Sequence, residues 1–275
     1  MTGRPSLRCS ISLLVALLLC ACEKELSPKS AYIDDADATV LRFSVADLGV
    51  QKINVMLFDS LGQRVFDKVK TQTISDGDFG ALVVNLDAGT YTLVAIAHSS
   101  IVSATIKSAA NVQFTARDGR KLTDTFCLVD TIALDGSPIH RDCPLQRATA
   151  MVRLMPTDDV PATVSTWQFS YTGGSANVNP TTLHGITKST QSELRLASEP
   201  LEVYTFPYMA EAGLLKITIS SLASDGSVVC QRTFQDVPIE RCRITTIRGA
   251  FFSDMPMQTG FYVDDSWNGE TIINF

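Results

Sequence analysis

Apolar and polar positions alternate with a period of two over short stretches along most of this chain. In KINVMLFD (52–59), Ile53, Val55 and Leu57 fall on one face, and Asn54, Met56 and Phe58 on the other. A turn-like SLGQ follows, then RVFDKVK. ALVVNLDAGTYTLVAIAHSS (81–100) holds two apolar runs split by Asp87-Ala88-Gly89. That spacing predicts a three-residue hairpin connection with Gly89 placed for φ > 0. Further runs of the same kind are ATAMVRLMP, STWQFSYTGG, LEVYTFPYM and RITTIRGAFF. LLKITISSLASDGSVVCQRTF predicts a second hairpin across Asp225-Gly226. Short β-branched and aromatic segments, spaced by Gly, Asp and Pro, predict an all-β fold of the sandwich class.

These runs are too many for one standard sandwich. LDGSPIHRDCPLQ (134–146) is a turn-rich break with two prolines, and a similar order of extended strand, strand pair and hairpin stands on either side of it. The division predicted is a β-sandwich domain over residues 40–145 and a second over 146–275. No clean sequence repeat relates them.

The first 39 residues break the pattern. Ile11 to Leu19 is one short apolar run, about half of the roughly 20 residues that span a bilayer. Arg4 and Arg8 precede it with no acid nearby, which fits the charged start of a secretory signal. Leu19-Cys20-Ala21-Cys22 resembles a bacterial lipobox, with an aliphatic residue at −3, a small one at −1 and then Cys. The expectation is a lipoprotein signal peptide over 1–21 and lipidation at Cys22; the other reading is an ordinary signal peptide with Cys22 incidental. Several acyl chains on one residue give stable anchoring. Residues 22–39 are polar, acidic and aperiodic, which suits a tether.

Composition changes the picture mainly through charge. The whole chain is formally −6; without residues 1–21 it keeps 21 Lys+Arg against 29 Asp+Glu, or −8. Such a chain is a poor partner for nucleic acid. His98, His140 and His184 lie far apart and read as turn or edge residues, not as a zinc or catalytic set. No G-x-S-x-G or phosphate loop occurs, and TGGSANVNP (172–180) reads as a loop. Asp76 and Asp78 flank Gly77 without the rest of a calcium loop, so they read as a solvated turn. No enzyme activity, cofactor or metal is expected. Once the signal leaves and Cys22 is lipidated, Cys127, Cys143, Cys230 and Cys242 remain. An even set in an oxidising compartment suggests disulfides. Of the three pairings, Cys127–Cys143 and Cys230–Cys242 close the shortest loops, each worth roughly 3 kcal/mol if unstrained; four free thiols are the other reading.

INVMLFDSLGQRVFDKV, followed by VNLDAGTYTLVAIAHS, resembles the first-domain signature of the FimB-type fimbrial anchor (fimbrillin-A-associated anchor) family of Bacteroidales-like bacteria. Asp87 to Leu93 stands where that family has an L-x-PGTYTL element, with Ala88 in place of the common Pro. RATAMVRLMPTDDVPATVSTWQFSYTGGSANVNPTTLHG resembles the opening of the second domain. TFQDVPIERCRITTIRGAFF resembles a fimbrillin-type hairpin, with Cys242 replacing the usual Asn, and FYVDDSWNGETIINF resembles the closing strand. The resemblance implies two tandem transthyretin-like Greek-key β-sandwich domains. It also implies a basal anchor that ties a fimbria to the outer membrane and limits its length. Partners would be fimbrial structural subunits joined by β-strand addition at an open sheet edge. The segment Phe261 to Phe275 is expected to be the last strand of its own sandwich; donation to a neighbour is the other reading. Two alternatives stay open. One is a stalk or tip pilin processed in a basic loop at Arg117, Arg120 and Lys121. The other is a carbohydrate-binding surface lipoprotein, for which Trp167 and Trp267 are the only tryptophans to serve as platforms.

Overall fold

A computed structural model describes residues 38–114, 122–253 and 270–274. The first part of the chain forms β1 (Thr39–Phe43), β2 (Lys52–Phe58), β3 (Lys70–Thr73), β4 (Ala81–Val84), β5 (Gly89–His98), β6 (Thr105–Ser108) and β7 (Asn111–Gln113). Next come β8 (Thr125–Leu134), β9 (His140–Cys143), β10 (Gln146–Arg147), β11 (Ala150–Pro156), β12 (Val164–Thr172), β13 (Gly174–Ser175) and β14 (Asn177–Asn179). The rest are β15 (His184–Gly185), β16 (Gln191–Leu196), β17 (Glu202–Pro207), β18 (Ala212–Ala223), β19 (Val228–Glu240), β20 (Ile244–Gly249) and β21 (Glu270–Asn274). The protein is all-β, with no helix among the described residues.

Five sheets build three cores. In the first sandwich, sheet β4-β1-β9 faces sheet β10-β8-β5-β2-β3. Leu41, Ile53, Val55, Leu57, Leu93 and Phe126 fill the space between them. In the second, β13-β17-β11-β20-β21 faces β16-β12-β18-β19. Strand β12 shows why: Trp167, Phe169 and Tyr171 turn inward, while Gln168 and Ser170 turn out. The third core is the surprise. Sheet β15-β14-β7-β6 takes two strands from each side of the 134–146 break. It covers the outer face of the first sandwich's larger sheet, burying Met56, Phe58, Val94 and Ile96 with Val178, Leu183 and Phe206. Strands β2 and β5 are therefore buried on both faces, which is why KINVMLFD is apolar on both.

Three local expectations change. The runs on either side of Asp87-Ala88-Gly89 form β4 and β5, but these belong to different sheets, so the segment crosses between layers instead of closing a hairpin. Gly89 is not among the positive-φ residues; it opens β5 opposite Leu134. RVFDKVK yields only a bridge from Arg64 to Phe58, and the paired strand β3 starts at Lys70. The hairpin across Asp225-Gly226 is present, with Gly226 at φ 83 and the Asp225 carboxylate accepting the Ser227 N–H at 2.9 Å.

The ends of the sandwiches can be ordered from the registers. Thr39 lies opposite Val84, close to the end where Gly89 meets Leu134. The other end of that sheet, His98 opposite Thr125, meets the second unit: the Thr125 N–H donates to Thr149 Oγ1 at 3.3 Å. Strand β11 starts at this junction and runs to Pro156. Val164, opposite Ala223 and next to the 224–227 turn, lies at the far end.

Candidate functional site

Residues 22–37 of the expected 22–39 tether, Cys22 included, fall outside the described residues, as do Arg117, Arg120, Lys121 and Trp267, whereas Thr39, expected in the tether, opens β1. What the structure describes is where the chain leaves them. It enters the first sandwich at Ala38, at the end away from the second unit.

Among the described residues Cys127, Cys143, Cys230 and Cys242 are free, against the expected disulfides and in line with the other reading of four free thiols. Cys127 faces the middle core and Cys143 the first core, so the five-stranded sheet separates them. Cys230 lies near the start of β19 and Cys242 beyond its end. At about 3.3 Å per residue the strand holds them roughly 35 Å apart, far outside the Cα range a disulfide tolerates. Burial pushes the Cys127 and Cys143 thiols up, so neither is a ready thiolate. Cys242 sits at φ 63, a left-handed turn position where Asn is favoured over Cys. Its N–H donates to Thr149 O at 2.9 Å.

His98 is fully buried at the end of β5, not a turn or edge residue as its spacing suggested. Asp76 closes its own turn by accepting the Thr73 N–H at 2.6 Å. No group of three or more His, Cys, Asp or Glu is placed to hold a metal among the described residues.

The carboxy-terminal strand lies in the chain's own sheet. Strand β21 pairs parallel with β20, Ile244 opposite Glu270 through Arg248 opposite Asn274, and Ile273 packs on the second core. The chain leaving β20 is clamped before residue 254. The Asp158 carboxylate accepts the N–H groups of Phe251, Phe252 and Ser253 at 2.7, 2.6 and 3.0 Å. Burial works against the charged carboxylate, but the three donors hold its pKa below the usual value. Arg232 donates to the carbonyls of Phe251 and Ser253. Phe251 stacks edge-on against Trp167, centroids 4.9 Å apart.

Strand β16 forms one open edge of the second sandwich. Its two charged side chains point inward: Arg195 Nη2 lies 2.6 Å from Glu193 Oε2, at 5% and 3% exposure. Glu193 Oε1 is 2.8 Å from the Tyr171 hydroxyl. Burial, then the neighbouring carboxylate, pushes that hydroxyl up and keeps it a neutral donor. Removing either member of such a buried pair costs about 3–5 kcal/mol, because the other charge stays in the core.

Between the units, Arg147 meets Asp124 at 3.0 Å, and Arg241 donates to Arg147 O at 3.0 Å while pairing with Glu211. Glu211 also meets His184 at 3.2 Å. Sequence spacing gave no sign of this bracket or of the middle sheet. The sign available was TGGSANVNP, read as a loop. Gly174 lies against Thr205, where a Cβ would collide with Oγ1, and Gly185 lies against Ser175. Glycine in a strand often marks such close approach.

Residues 104–274 match a family described as a family of unknown function, DUF6562. No curated protein matches. Among solved structures, a candidate polysaccharide-binding protein (DUF1812) of Bacteroides thetaiotaomicron is 14% identical, with a TM-score of 0.47 over 70% of this chain and 79% of that one. A candidate adhesin of Bacteroides ovatus is 13% identical, with a TM-score of 0.47 over 74% and 83%. The fimbrial anchor protein Mfa2 of Porphyromonas gingivalis is 10% identical, with a TM-score of 0.38 over 71% and 81%.

Proposed function

This chain belongs to DUF6562, a family of unknown function, and from that premise we propose that it is a lipid-anchored fimbrial subunit, the basal anchor holding a filament to the outer membrane and limiting its length. The observation that carries the reading is Leu19-Cys20-Ala21-Cys22 followed by an acidic tether and an all-β body. The ordered resemblance of five stretches to FimB-type anchors supports it. Lipid at Cys22 fixes one end, the tether lifts the body, and a filament subunit joins an open sheet edge by strand addition, where unpaired N–H and C=O groups meet a new strand. The role is mechanical. Trp167 is 1% exposed inside the second core and offers no face to a sugar ring, which weighs against the glycan-binding alternative.

Cys22→Ser removes the acylated thiol and should release the protein from membranes. Deleting the gene should leave filaments that assemble but are shed or grow to abnormal length. A stalk subunit would instead leave no filaments, and a glycan-binding lipoprotein would leave them attached and normal. Electron microscopy of cells and medium separates the three; attached filaments of normal length in the deletion strain end the anchor reading.

A further inference from the structure

Arg64 to Lys70, leading from β2 into β3, hold three cations and one acid in a chain of formal charge −6. None of the three cations meets a carboxylate among the described residues. Arg64 Nη2 donates to Ile106 O at 2.8 Å, the Lys70 ammonium lies 5.1 Å from the centre of the Phe66 ring, and Lys68 has no hydrogen bond or ion pair. Apolar anchors hold the loop in place: Val65 packs on the first core, Val69 on the middle core and Phe66 on both. The chain bends through 65–68, and no N–H of Phe66, Asp67, Lys68 or Val69 finds an acceptor among the described residues. Other turns fill such donors with their own carboxylates. Asp59 accepts the N–H groups of Leu61 and Gln63 at 2.9 and 2.8 Å, and Asp225 that of Ser227. Asp67 accepts none among the described residues. Residues 65–70 line an open concavity of about 440 Å³, within the size of small-ligand sites.

We propose that this loop binds a phosphate group. Uncommitted N–H groups in a bent segment make an anion-binding concavity, and two lysines beside them add point charges of the kind that suits phosphate. The number of donors favours phosphate over a carboxylate. Four backbone N–H groups and two ammonium groups are more than two carboxylate oxygens can accept, whereas a phosphate brings three strong acceptor oxygens and more charge. The concavity leaves room for the group that carries the phosphate. A lipid headgroup and a soluble phosphate present the same chemistry to it. Asp67 lines the same space, so its charge opposes the ligand and gives the binding a sign that can be checked. Arg64 is a positioning residue: it ties the loop to β6 through Ile106 and leaves the concavity to Lys68 and Lys70. The site is independent of the anchor reading, and either can fail without the other.

The test titrates the full chain carrying Cys22→Ser with inorganic phosphate, read by phosphorus NMR and calorimetry. In parallel, the chain is sedimented with phosphatidylcholine vesicles with and without phosphatidic acid. Residues 67, 68 and 70 are exposed, so variants there should keep the native circular dichroism. Lys68→Gln/Lys70→Gln should weaken binding by at least about tenfold, the loss of one charge-assisted hydrogen bond. Asp67→Asn should tighten it by about two- to fivefold, the size of an exposed charge interaction. Lys188→Gln/Lys216→Gln, which changes lysines outside the loop, should leave it unchanged. Sedimentation with phosphatidic acid that is lost in Lys68→Gln/Lys70→Gln supports the site with a lipid headgroup as the source. Binding of inorganic phosphate without sedimentation supports it with a soluble one. Equal binding by the native chain and Lys68→Gln/Lys70→Gln overturns the proposal, because the ion is then held elsewhere. Equal weakening in both lysine pairs overturns it in favour of diffuse charge. No binding of either probe by a natively folded chain also overturns it.

Discussion

At His98 both ring nitrogens are committed in the neutral form. Nδ1 accepts the Ser100 N–H at 3.0 Å, so Nε2 carries the proton and donates to Asn54 Oδ1 at 2.8 Å. Asn54 also accepts the Ala104 N–H at 2.8 Å and donates to Thr71 at 2.8 Å, tying β2, β3, β5 and the 99–104 loop together. A second proton would have to sit on Nδ1, facing another N–H. Burial, then the Lys52 charge, pulls the pKa down to about 3. The unfolded chain takes up this proton near the ordinary value of about 6.5. Between those two values the unfolded state binds more protons, so the contribution is full above pH 6.5 and is lost as pH falls toward 3. The slope is at most about 1.4 kcal/mol per pH unit. Urea midpoints at pH 7.5, 6.5 and 5.5 should fall for the native chain and stay flatter for His98→Gln. Equal slopes in both would remove His98 as the cause. The cysteines make the opposite point at this scale: an even count in a secreted chain suggested pairs, and position in the fold keeps them apart.

Among the elements, β13 to β15 depend most on small residues. Gly174 pairs with Pro207 while its missing side chain leaves room for Thr205. Thr205 in turn accepts the Ser175 N–H at 3.1 Å and a Gln191 Nε2–H at 3.3 Å. Gly174→Ala should therefore cost about 1–3 kcal/mol, the usual range for overpacking. Gly77→Ala, whose Cβ meets nothing within 4 Å, should stay within about 0.5 kcal/mol. Denaturant unfolding of the two variants checks the difference; similar losses would mean the close approach at Thr205 is not what holds this strand. Strand β19 shows how an edge is protected: two register shifts and Pro238 interrupt it, devices that discourage unwanted pairing.

For the whole molecule, the middle core joins the two sandwiches through shared buried side chains, so they should unfold as one cooperative body. Phe206 contributes to it from the second unit and Met56, Val94 and Ile96 from the first. Phe206→Ala should cost about 3–5 kcal/mol and lower the unfolding of both units together. Tryptophan fluorescence reports only the second unit, since Trp167 and Trp267 both follow residue 146, while far-ultraviolet circular dichroism reports both. The two curves should coincide in the native chain and in the variant; separate midpoints would show that the units unfold independently.

Much of the all-β class was legible because period-two alternation is a local property. Ile53, Val55 and Leu57, or Trp167, Phe169 and Tyr171, announce a strand with a buried face whatever lies against it. The Asp225-Gly226 turn was legible for the same reason, since a positive φ limits the residues that fit. Sheet membership was not. The runs around Asp87-Ala88-Gly89 look like a hairpin, yet β4 pairs with β1 and β5 with β2 and β8, a choice made by contacts distant in sequence. The middle sheet joins residues about 65 apart, Val112 with Val178, and its strands are two to four residues long, too short to show a period. Strand β16 alternates charged and apolar residues, a pattern that by itself fits either face turned inward. Tertiary structure turned Glu193 and Arg195 inward and left Leu194 and Leu196 outside, because the pleat assigns alternate residues to opposite faces and the sequence alone does not say which face meets the core.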